Sequence, residues 1–303
     1  MAGDKEMQCS LKVRKGDIQL PFSKGLLIST ILKTGVGLEL ADEITDEVFH
    51  HFLKMGKKEV EAGEIKDFVF ETLLKRGMRE AADLYLLVER IKNTRTTVTI
   101  LLGGVSGVGK TTVASEIGRR LGITNMVGTD MIREIIKHLE PENPFLQHST
   151  FTVGKILNKK LKRDDKDYRK NVVEGFLSQS QIVSKGINAV LVRARKEGIN
   201  IIIDGANLVP SLLKKEFLEP SNFHVFPFLL TLSDLDTHIQ RFQSRSTESR
   251  RQAERYIAHL SEIHAIQDFL VEDARKMKVM VIENMNFEET VKKILATISK
   301  NLL

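Results

Sequence analysis

A glycine-rich loop between a strand-like run and an amphipathic helix is the feature that most constrains this chain. The run Val98–Leu102 is apolar with β-branched residues, and apolar positions between Val113 and Leu121 recur at helical spacing. Between them lies Gly104-x-x-x-x-Gly109-Lys110-Thr111, the G-x-x-x-x-G-K-[ST] pattern of a phosphate-binding P-loop. Because strand, loop and helix follow in the order such a loop requires, a glycine-rich turn that matches by chance is the weaker interpretation.

The residue types of the loop indicate nucleoside triphosphate binding. Glycines let backbone N–H groups close around a phosphate, and the helix N-terminus adds a partial positive charge. We expect Lys110 to reach the β- and γ-phosphates of ATP and the Thr111 hydroxyl to ligate Mg²⁺ or another divalent cation. The residues predicted to contact the nucleotide are Gly104, Ser106, Gly107, Val108, Gly109, Lys110, Thr111 and Thr112.

Length and composition favour a two-domain globular protein. A chain of 303 residues predicts two domains, and the polar stretch 92–96 suggests a boundary between residues 1–93 and 94–303. The single cysteine, Cys9, excludes an internal disulfide framework and fits a reducing compartment. We find no signal-peptide pattern and no apolar stretch of membrane-spanning length, so we expect a soluble, cytoplasmic protein without a membrane partner.

The positive charge is unevenly distributed along the chain. Residues 1–95 carry 16 basic and 16 acidic side chains, so the whole net charge of +6 lies in residues 96–303. A basic half around a phosphate loop suits small polyanionic molecules. With no Trp and three Tyr, the chain has few residues on which bases could stack, and we expect no nucleic-acid partner.

The segment before the P-loop domain has the pattern of a small, mainly helical domain. Residues 11–20 alternate around Lys15-Gly16-Asp17 and predict a hairpin. A helical run is predicted after Pro21-Phe22, and three more follow, with apolar positions between Ile44 and Phe52, Ile65 and Leu73, and Ala81 and Ile91.

The next strand-like stretch, residues 126–130, ends in the acid Asp130, and a helix is predicted to begin there. Asp130 and Arg133 are three residues apart, so they share one side of a first helical turn. In small-molecule P-loop kinases this loop holds the acceptor, and a carboxylate there receives the hydroxyl proton while an arginine binds an anionic group. The alternative is that Asp130 only caps the helix N-terminus.

A second buried strand is predicted at residues 199–203, after a helix over 169–197 that ends at Gly198. It is followed by Asp204-Gly205, typical of an acidic residue that holds Mg²⁺ at a strand end, although a plain Asp-Gly turn is the alternative. The basic run 159–170 is interpreted as a solvated surface, with attraction of an anionic substrate as the minority hypothesis. Which of Lys155, Arg193 and Arg195 bind the acceptor stays open.

Further strands are predicted at 224–231 and 279–282, with helices at 255–277 and 287–300. Between the two strands, Arg241 and Arg245 lie four residues apart on one predicted helix. The spacing is typical of a lid that closes over phosphates and stabilises the transferring phosphoryl group. An exposed Arg-rich helix end with Glu248 and Glu254 as partners is the alternative.

The N-terminal segment resembles an ATP-cone, the nucleotide-sensing module that precedes ribonucleotide reductases and some transcription regulators. The resemblance rests on Val13-Arg14-Lys15, Pro21-Phe22, Lys24, Ala82, Tyr85 and Arg90. It implies that Arg14 and Lys15 meet the phosphates of a second nucleotide. The alternative is a cone kept for packing or for forming a homo-oligomer.

The chain as a whole resembles the archaeal 2-phosphoglycerate kinases. The motifs are the cone, the P-loop, Gly128-Thr-Asp-x-Ile-Arg133, Glu174-Gly-Phe-x-x-Gln179 and Ile202-Ile-Asp-Gly-Ala-Asn-Leu-Val-Pro210. The resemblance implies an α/β P-loop kinase domain with a parallel sheet flanked by helices, preceded by a small mainly helical domain. It implies ATP-dependent phosphorylation of 2-phosphoglycerate to 2,3-bisphosphoglycerate, the precursor of cyclic 2,3-diphosphoglycerate. A P-loop kinase with another acidic or nucleotide acceptor, or a nucleotide-sensing DNA-binding regulator, are the alternatives.

Overall fold

The computed structural model describes residues 11–93, 96–217, 222–248 and 253–302, without the side chains of residues 93 and 245–248. The chain divides into two compact units. One comprises Met1–Thr94 with Arg119–Gly122 and Leu295–Leu303, and the other comprises Arg95–Gly118 and Ile123–Ile294. Among the described helices, none is long and apolar enough to cross a lipid bilayer.

The first unit combines a three-stranded sheet with helices. Strands β1 (Lys12–Lys15) and β2 (Ile18–Pro21) form an antiparallel pair, which confirms the predicted hairpin. Strand β3 (Glu59–Glu61) pairs parallel to β1 on its other side. This strand was not predicted, because three residues carry too little alternation to be recognised.

Four helices of the described residues lie wholly within this unit: α1 (Lys24–Leu32), α2 (Leu38–Lys54), α3 (Ala62–Lys75) and α4 (Arg79–Asn93). The predicted apolar positions of α2 and α3 pack in one core together with Ala81 and Tyr85 of α4, and Ile44, Val48 and Val69 are completely buried there. Helical periodicity identified α2, α3 and α4, and α1 follows Pro21-Phe22 as predicted.

The second unit contains a five-stranded parallel sheet with the strand order β5-β6-β4-β7-β8. The strands are β4 (Thr97–Gly103), β5 (Asn125–Gly128), β6 (Ile201–Gly205), β7 (Phe223–Thr231) and β8 (Met280–Glu283). The chain leaves the central β4 for β5 and β6 on one side and later forms β7 and β8 on the other. Such a reversal opens a crevice at the carboxyl edge of the central strand, where ligands bind in open parallel sheets. The predicted parallel-sheet fold class is confirmed.

Helices and short turns connect these strands. The helices are α5 (Lys110–Leu121), α6 (Thr129–Leu139), α7 (Tyr168–Glu197), α8 (Leu235–Glu248), α9 (Ala253–Ile257), α10 (Leu260–Lys276) and α11 (Phe287–Leu302). Helix α7 ends at Gly198 in the left-handed conformation, as predicted. The single helix predicted over 255–277 is wrong, because the chain breaks it at residues 258–259 into α9 and α10.

Candidate active site

The P-loop connects β4 to α5 at the carboxyl edge of the sheet. Strand β4 is buried along its whole length, and α5 begins at Lys110. Gly104 has a φ of +141°, and a Cβ atom there would collide with the carbonyl oxygen of Leu230 on the neighbouring strand. Only glycine allows the loop to turn so close to β7.

Side chains from distant parts of the chain hold the carbonyl groups of this loop. The Lys110 ammonium donates to the Val105 carbonyl at 2.8 Å. The Asn284 amide and the Arg241 guanidinium both donate to the Val108 carbonyl, at 2.7 and 3.2 Å. Because the carbonyl groups have these partners, the conformation of the loop is set before an anion binds.

A buried histidine holds a further loop carbonyl. The Nε2 of His238 lies 2.7 Å from the Ser106 carbonyl, and its Nδ1 lies 3.1 Å from Nε2 of His264. Burial is the main cause that lowers the pKa of His238 to about 4. The ring is therefore neutral near pH 7, with Nε2–H as donor to Ser106 and Nδ1 as acceptor from His264. Sequence reasoning missed His238, since 132 residues separate it from Ser106.

Strand β6 places Asp204 against the first turn of α5. The Thr111 hydroxyl donates to Oδ2 of Asp204 at 2.7 Å, and the Asp204 side chain is buried. The structure therefore brings together the two residues that were predicted, from separate motifs, to ligate a divalent cation. A hydroxyl and a carboxylate oxygen are hard ligands of the kind that Mg²⁺ prefers, and with substrate phosphates they fit its usual protein sites. Within the described residues, no group of three or more His, Cys, Asp or Glu side chains could hold a metal by itself.

The predicted acceptor residues lie on α6, beside Asp204. Gly128, which precedes this helix, is the register partner of Asp204 in the sheet. Gly128 is also the N-cap, so the interpretation of Asp130 as a cap is wrong. Asp130 lies one step inside the first turn, with 63% of its side chain exposed.

The Arg133 side chain is less exposed than that of Asp130, at 18%. Its Nη1 donates to the His148 carbonyl at 2.9 Å, and its Nε is 3.9 Å from the Asp130 carboxylate. That Nε is buried and has no hydrogen-bond partner among the described residues. Gln179 of α7 donates to the same His148 carbonyl at 2.9 Å, while its buried Oε1 likewise finds no described partner. Buried polar atoms without partners are rare in folded proteins and are typical of places where a ligand binds.

Helix α8 places Arg241 at the P-loop rather than in solvent. Besides its bond to Val108, Arg241 donates to the Asn284 carbonyl at 2.5 Å. Burial lowers the pKa of this guanidinium, and the charge of Glu283 opposes the shift. The side chain of Arg245 and residues 249–252 lie outside the described part, so the predicted lid remains a prediction.

A buried carboxylate organises the basic segment before α7. Glu262 of α10 is 1% exposed, and its Oε1 accepts from Arg163 at 2.8 Å and from the Tyr168 hydroxyl at 2.7 Å. His259 Nδ1 lies 3.2 Å from the same oxygen, and the Ser261 hydroxyl donates to the other at 2.8 Å. Arg163 also donates to the Ala258 carbonyl at 2.5 Å. The basic run 159–170 is therefore attached to α10 at Arg163, which the solvated-surface interpretation did not anticipate.

The parallel sheet, the P-loop and the facing Thr111–Asp204 pair define a P-loop nucleotide-binding protein. Comparison with known proteins agrees, because residues 100–268 match the family model described as an AAA domain. The chain is 38% identical to the 2-phosphoglycerate kinase of Methanopyrus kandleri, over 97% of this chain and 88% of that protein. The enzymes of the same name from Pyrococcus horikoshii and Methanocaldococcus jannaschii are 39% and 35% identical, over 96% and 98% of this chain and 94% of each relative. The chain belongs to the 2-phosphoglycerate kinase family.

Proposed function

We propose that this protein transfers the γ-phosphoryl group of ATP to the 3-hydroxyl of 2-phosphoglycerate and forms 2,3-bisphosphoglycerate. The product would supply the formation of cyclic 2,3-diphosphoglycerate. Two lines of support converge on this proposal. Membership of the 2-phosphoglycerate kinase family suggests the acceptor, and the site has the residue types that phosphoryl transfer requires.

The observation that carries the proposal is the common sheet edge of three functional groups. Asp204 lies at the end of β6 and accepts a hydrogen bond from Thr111 of the P-loop. Asp130 lies two residues beyond Gly128, whose register partner is Asp204. A phosphoryl group held at the P-loop would therefore be close to a carboxylate that can accept a proton.

The reaction needs little covalent help from the protein. The acceptor oxygen forms a bond to the γ-phosphorus while the bond to the β–γ bridging oxygen breaks, and ADP leaves with that electron pair. We assign Asp130 to orient the 3-hydroxyl and to take its proton, which then passes to solvent. Lys110 and the loop N–H groups would hold the β- and γ-phosphates, and Arg133 one anionic group of the acceptor. Most of the rate enhancement would come from positioning and electrostatics.

Thr111 and Asp204 would hold a divalent cation. Their oxygens lie 2.7 Å apart. When bound, Mg²⁺ neutralises the charge that develops between the β- and γ-phosphates. In the protein, Asp204 keeps the Thr111 hydroxyl pointed at this place. Arg241, which contacts the Val108 carbonyl of the P-loop, would add positive charge to the nucleotide site, and Arg245 would do so from the predicted lid.

Acceptor-dependent release of ADP tests the proposed function. The assay contains ATP and Mg²⁺ with 2-phosphoglycerate, 3-phosphoglycerate, glycerate or AMP, and Lys110→Ala serves as the catalytically impaired control. We expect rapid ADP release with 2-phosphoglycerate in the unmodified protein and its loss in Lys110→Ala. Turnover with another compound alone would identify a different acceptor, and no turnover with any of them would contradict the kinase assignment.

The first unit is proposed to bind a second nucleotide at Arg14 and Lys15. In the structure Arg14 pairs with Glu61 at 2.6 Å and Glu59 at 2.9 Å, so a phosphate would have to compete with these carboxylates. Lys15 is exposed at the end of β1. Equilibrium dialysis of Lys110→Ala with ATP measures binding outside the P-loop. The proposal expects residual binding that Arg14→Ala removes and Arg79→Ala retains, and it fails if Lys110→Ala binds no ATP.

A further inference from the structure

A cavity of about 560 Å³ lies beside the acceptor residues, within the second unit. Its wall includes the short helical turn Val153–Ile156, the first residues of α7, and His259 and Glu262 at the start of α10. The volume falls in the usual range for small-ligand sites, roughly 300–1,000 Å³. None of the residues assigned above to ATP or the divalent cation lines it.

The wall of this cavity is tightly built. A Cβ atom at Gly175 of α7 would lie 2.5 Å from the Cα of Gly154, so the two backbones touch at positions that only glycine permits. The Asn171 amide donates to the Gly154 carbonyl at 2.7 Å. Lys155 therefore belongs to a turn whose backbone is held in place. His148, which also lines the cavity, is fixed through its carbonyl by Arg133 and Gln179.

Packed rings connect the cavity to the P-loop. His238, whose ring bonds to the Ser106 carbonyl, stacks on Phe242 with centroids 4.8 Å apart. Phe242 stacks on Tyr256 at 5.0 Å, and Tyr256 packs against Phe151 of the cavity wall at 5.5 Å. On the other side of the site, Arg133 connects the cavity to Asp130. The cavity is thus connected through packed side chains to the P-loop and, through Arg133, to Asp130.

The charges in the cavity are of two kinds. Arg163 is paired with the buried Glu262, so its charge is neutralised within the protein. Lys155 and Lys159 also line the cavity, and neither ammonium forms a hydrogen bond or ion pair within the described part of the chain. Two lysines without carboxylate partners in one concave site attract an anion more strongly than isolated surface lysines do.

The other basic candidates of the sequence lie elsewhere. Arg193 pairs with Glu197 on an exposed face of α7, and Arg195 donates to the Glu216 carbonyl. Lys160 and Lys166, in the same basic run as Lys159, do not line the cavity. Of the candidates left open by the sequence, the geometry therefore singles out Lys155.

We propose that Lys155 and Lys159 bind the phosphate group that the acceptor already carries. This inference rests on the proposed function. A phosphate near pH 7 carries a charge of about −1.5 to −2, and the acceptor's carboxylate adds another negative charge. Two lysine ammonium groups match the phosphate, while Arg133, with its planar fork, is suited to the carboxylate. The two lysines thereby determine that the enzyme selects a phosphorylated acceptor.

Steady-state kinetics of Lys155→Met and Lys159→Met test this assignment, with Lys160→Met and Lys166→Met as matched controls from the same segment. We expect the KM for 2-phosphoglycerate to rise about tenfold or more in each cavity variant, because a charge-assisted contact to the bound substrate is lost. The kcat at saturating acceptor and the KM for ATP should stay within about twofold of the unmodified protein, since the lost contact exists equally in ground and transition states. Lys155→Arg should recover much of the affinity.

Each outcome bears on a different claim. If the unmodified protein turns over 2-phosphoglycerate but both cavity variants keep its KM, the cavity assignment is overturned and the proposed function stands. The cavity assignment is also overturned if the two control variants raise the KM as much, because a general surface field would then explain the effect. An unmodified protein that does not phosphorylate 2-phosphoglycerate overturns both proposals. Thermal unfolding of every variant shows whether a kinetic loss reflects loss of folded protein.

Discussion

Replacing Glu262 by Gln should destabilise the second unit by an amount that depends on pH. The carboxylate is 1% exposed and accepts hydrogen bonds from Arg163, Tyr168 and Ser261, with His259 also in reach. Glutamine has nearly the same shape but carries no charge and presents an NH₂ group to donors. The substitution therefore removes the charge while it leaves the packing volume almost unchanged.

The magnitude follows from the pKa of this carboxyl. Burial raises the pKa, but the hydrogen bonds from Tyr168, Ser261 and His259 outweigh it and lower the pKa of Glu262 from 4.5 to about 2. At 1.36 kcal/mol per pKa unit, the ionised carboxylate contributes about 3 kcal/mol to the free energy of unfolding at neutral pH. Because the folded pKa lies below the unfolded one, this stabilisation is complete above about pH 5 and is lost as the pH falls towards 2. Near pH 3 about 1 kcal/mol should remain.

Urea unfolding followed by circular dichroism at pH 7 and pH 3 measures this difference. The transition of the P-loop unit is the one whose shift to higher urea by ATP is lost in Lys110→Ala, because a ligand stabilises the unit that binds it and this variant impairs only the P-loop site. Glu272→Gln is the matched control, since Glu272 is exposed on the same helix. We expect Glu262→Gln to lose about 3 kcal/mol at pH 7 relative to this control and about 1 kcal/mol at pH 3.

Two results would refute the reasoning about Glu262. The first is a stability of Glu262→Gln equal to that of Glu272→Gln at pH 7, which would mean that burial cancels the hydrogen bonds. The second is an equal loss at both pH values, which would assign the effect to shape rather than charge.

Three further predictions concern the nucleotide site. Asp204→Asn should lower kcat about 10- to 100-fold and raise the Mg²⁺ concentration needed for half-maximal rate; an unchanged Mg²⁺ dependence would remove Asp204 from the metal site. His238→Phe should raise the KM for ATP about tenfold, because the Ser106 carbonyl loses its donor. Since the folded pKa of His238 is about 4, below that of a free histidine, the unmodified protein should lose stability as the pH falls from 6.5 towards 4, and His238→Phe should lose less over that range. Gly104→Ala should abolish ATP binding in fluorescence titrations and cost about 2 kcal/mol of stability, because its Cβ would meet the Leu230 carbonyl; normal binding would contradict the tight turn.

The parts of the fold that follow from short-range patterns were predictable. The P-loop is a contiguous motif, and its strand and helix show regular apolar spacing, so β4 and α5 lie where the sequence indicates. The same holds for the buried strand before Asp204, and for α7 with its glycine C-cap. In each case the residues that decide the structure are neighbours along the chain.

The predictions that were wrong or missing concern local sequence patterns that are compatible with two structures, or that are too short to indicate one. An acid at the start of a helix suits both the N-cap and the first turn, and the structure uses Gly128 as the cap and leaves Asp130 facing solvent. The helix over 255–277 appeared continuous from its composition, yet the chain divides it so that Tyr256 and His259 both pack against Phe151. The short β3 forms because β1 offers a free edge, which no property of Glu59–Glu61 reveals.

The sequence alone indicated a nucleoside triphosphate site at the edge of a parallel sheet, and it predicted which lysine, threonine and aspartates act there. The tertiary structure was needed to show what holds those residues and what surrounds the predicted acceptor residues. His238 and Asn284 lie 132 and 176 residues further along the chain than the P-loop carbonyl groups they contact. Arg163 and Glu262 are 99 residues apart. Such contacts depend on which elements pack together, and a histidine, an asparagine or a glutamate carries no sign of its distant partner until the core has formed.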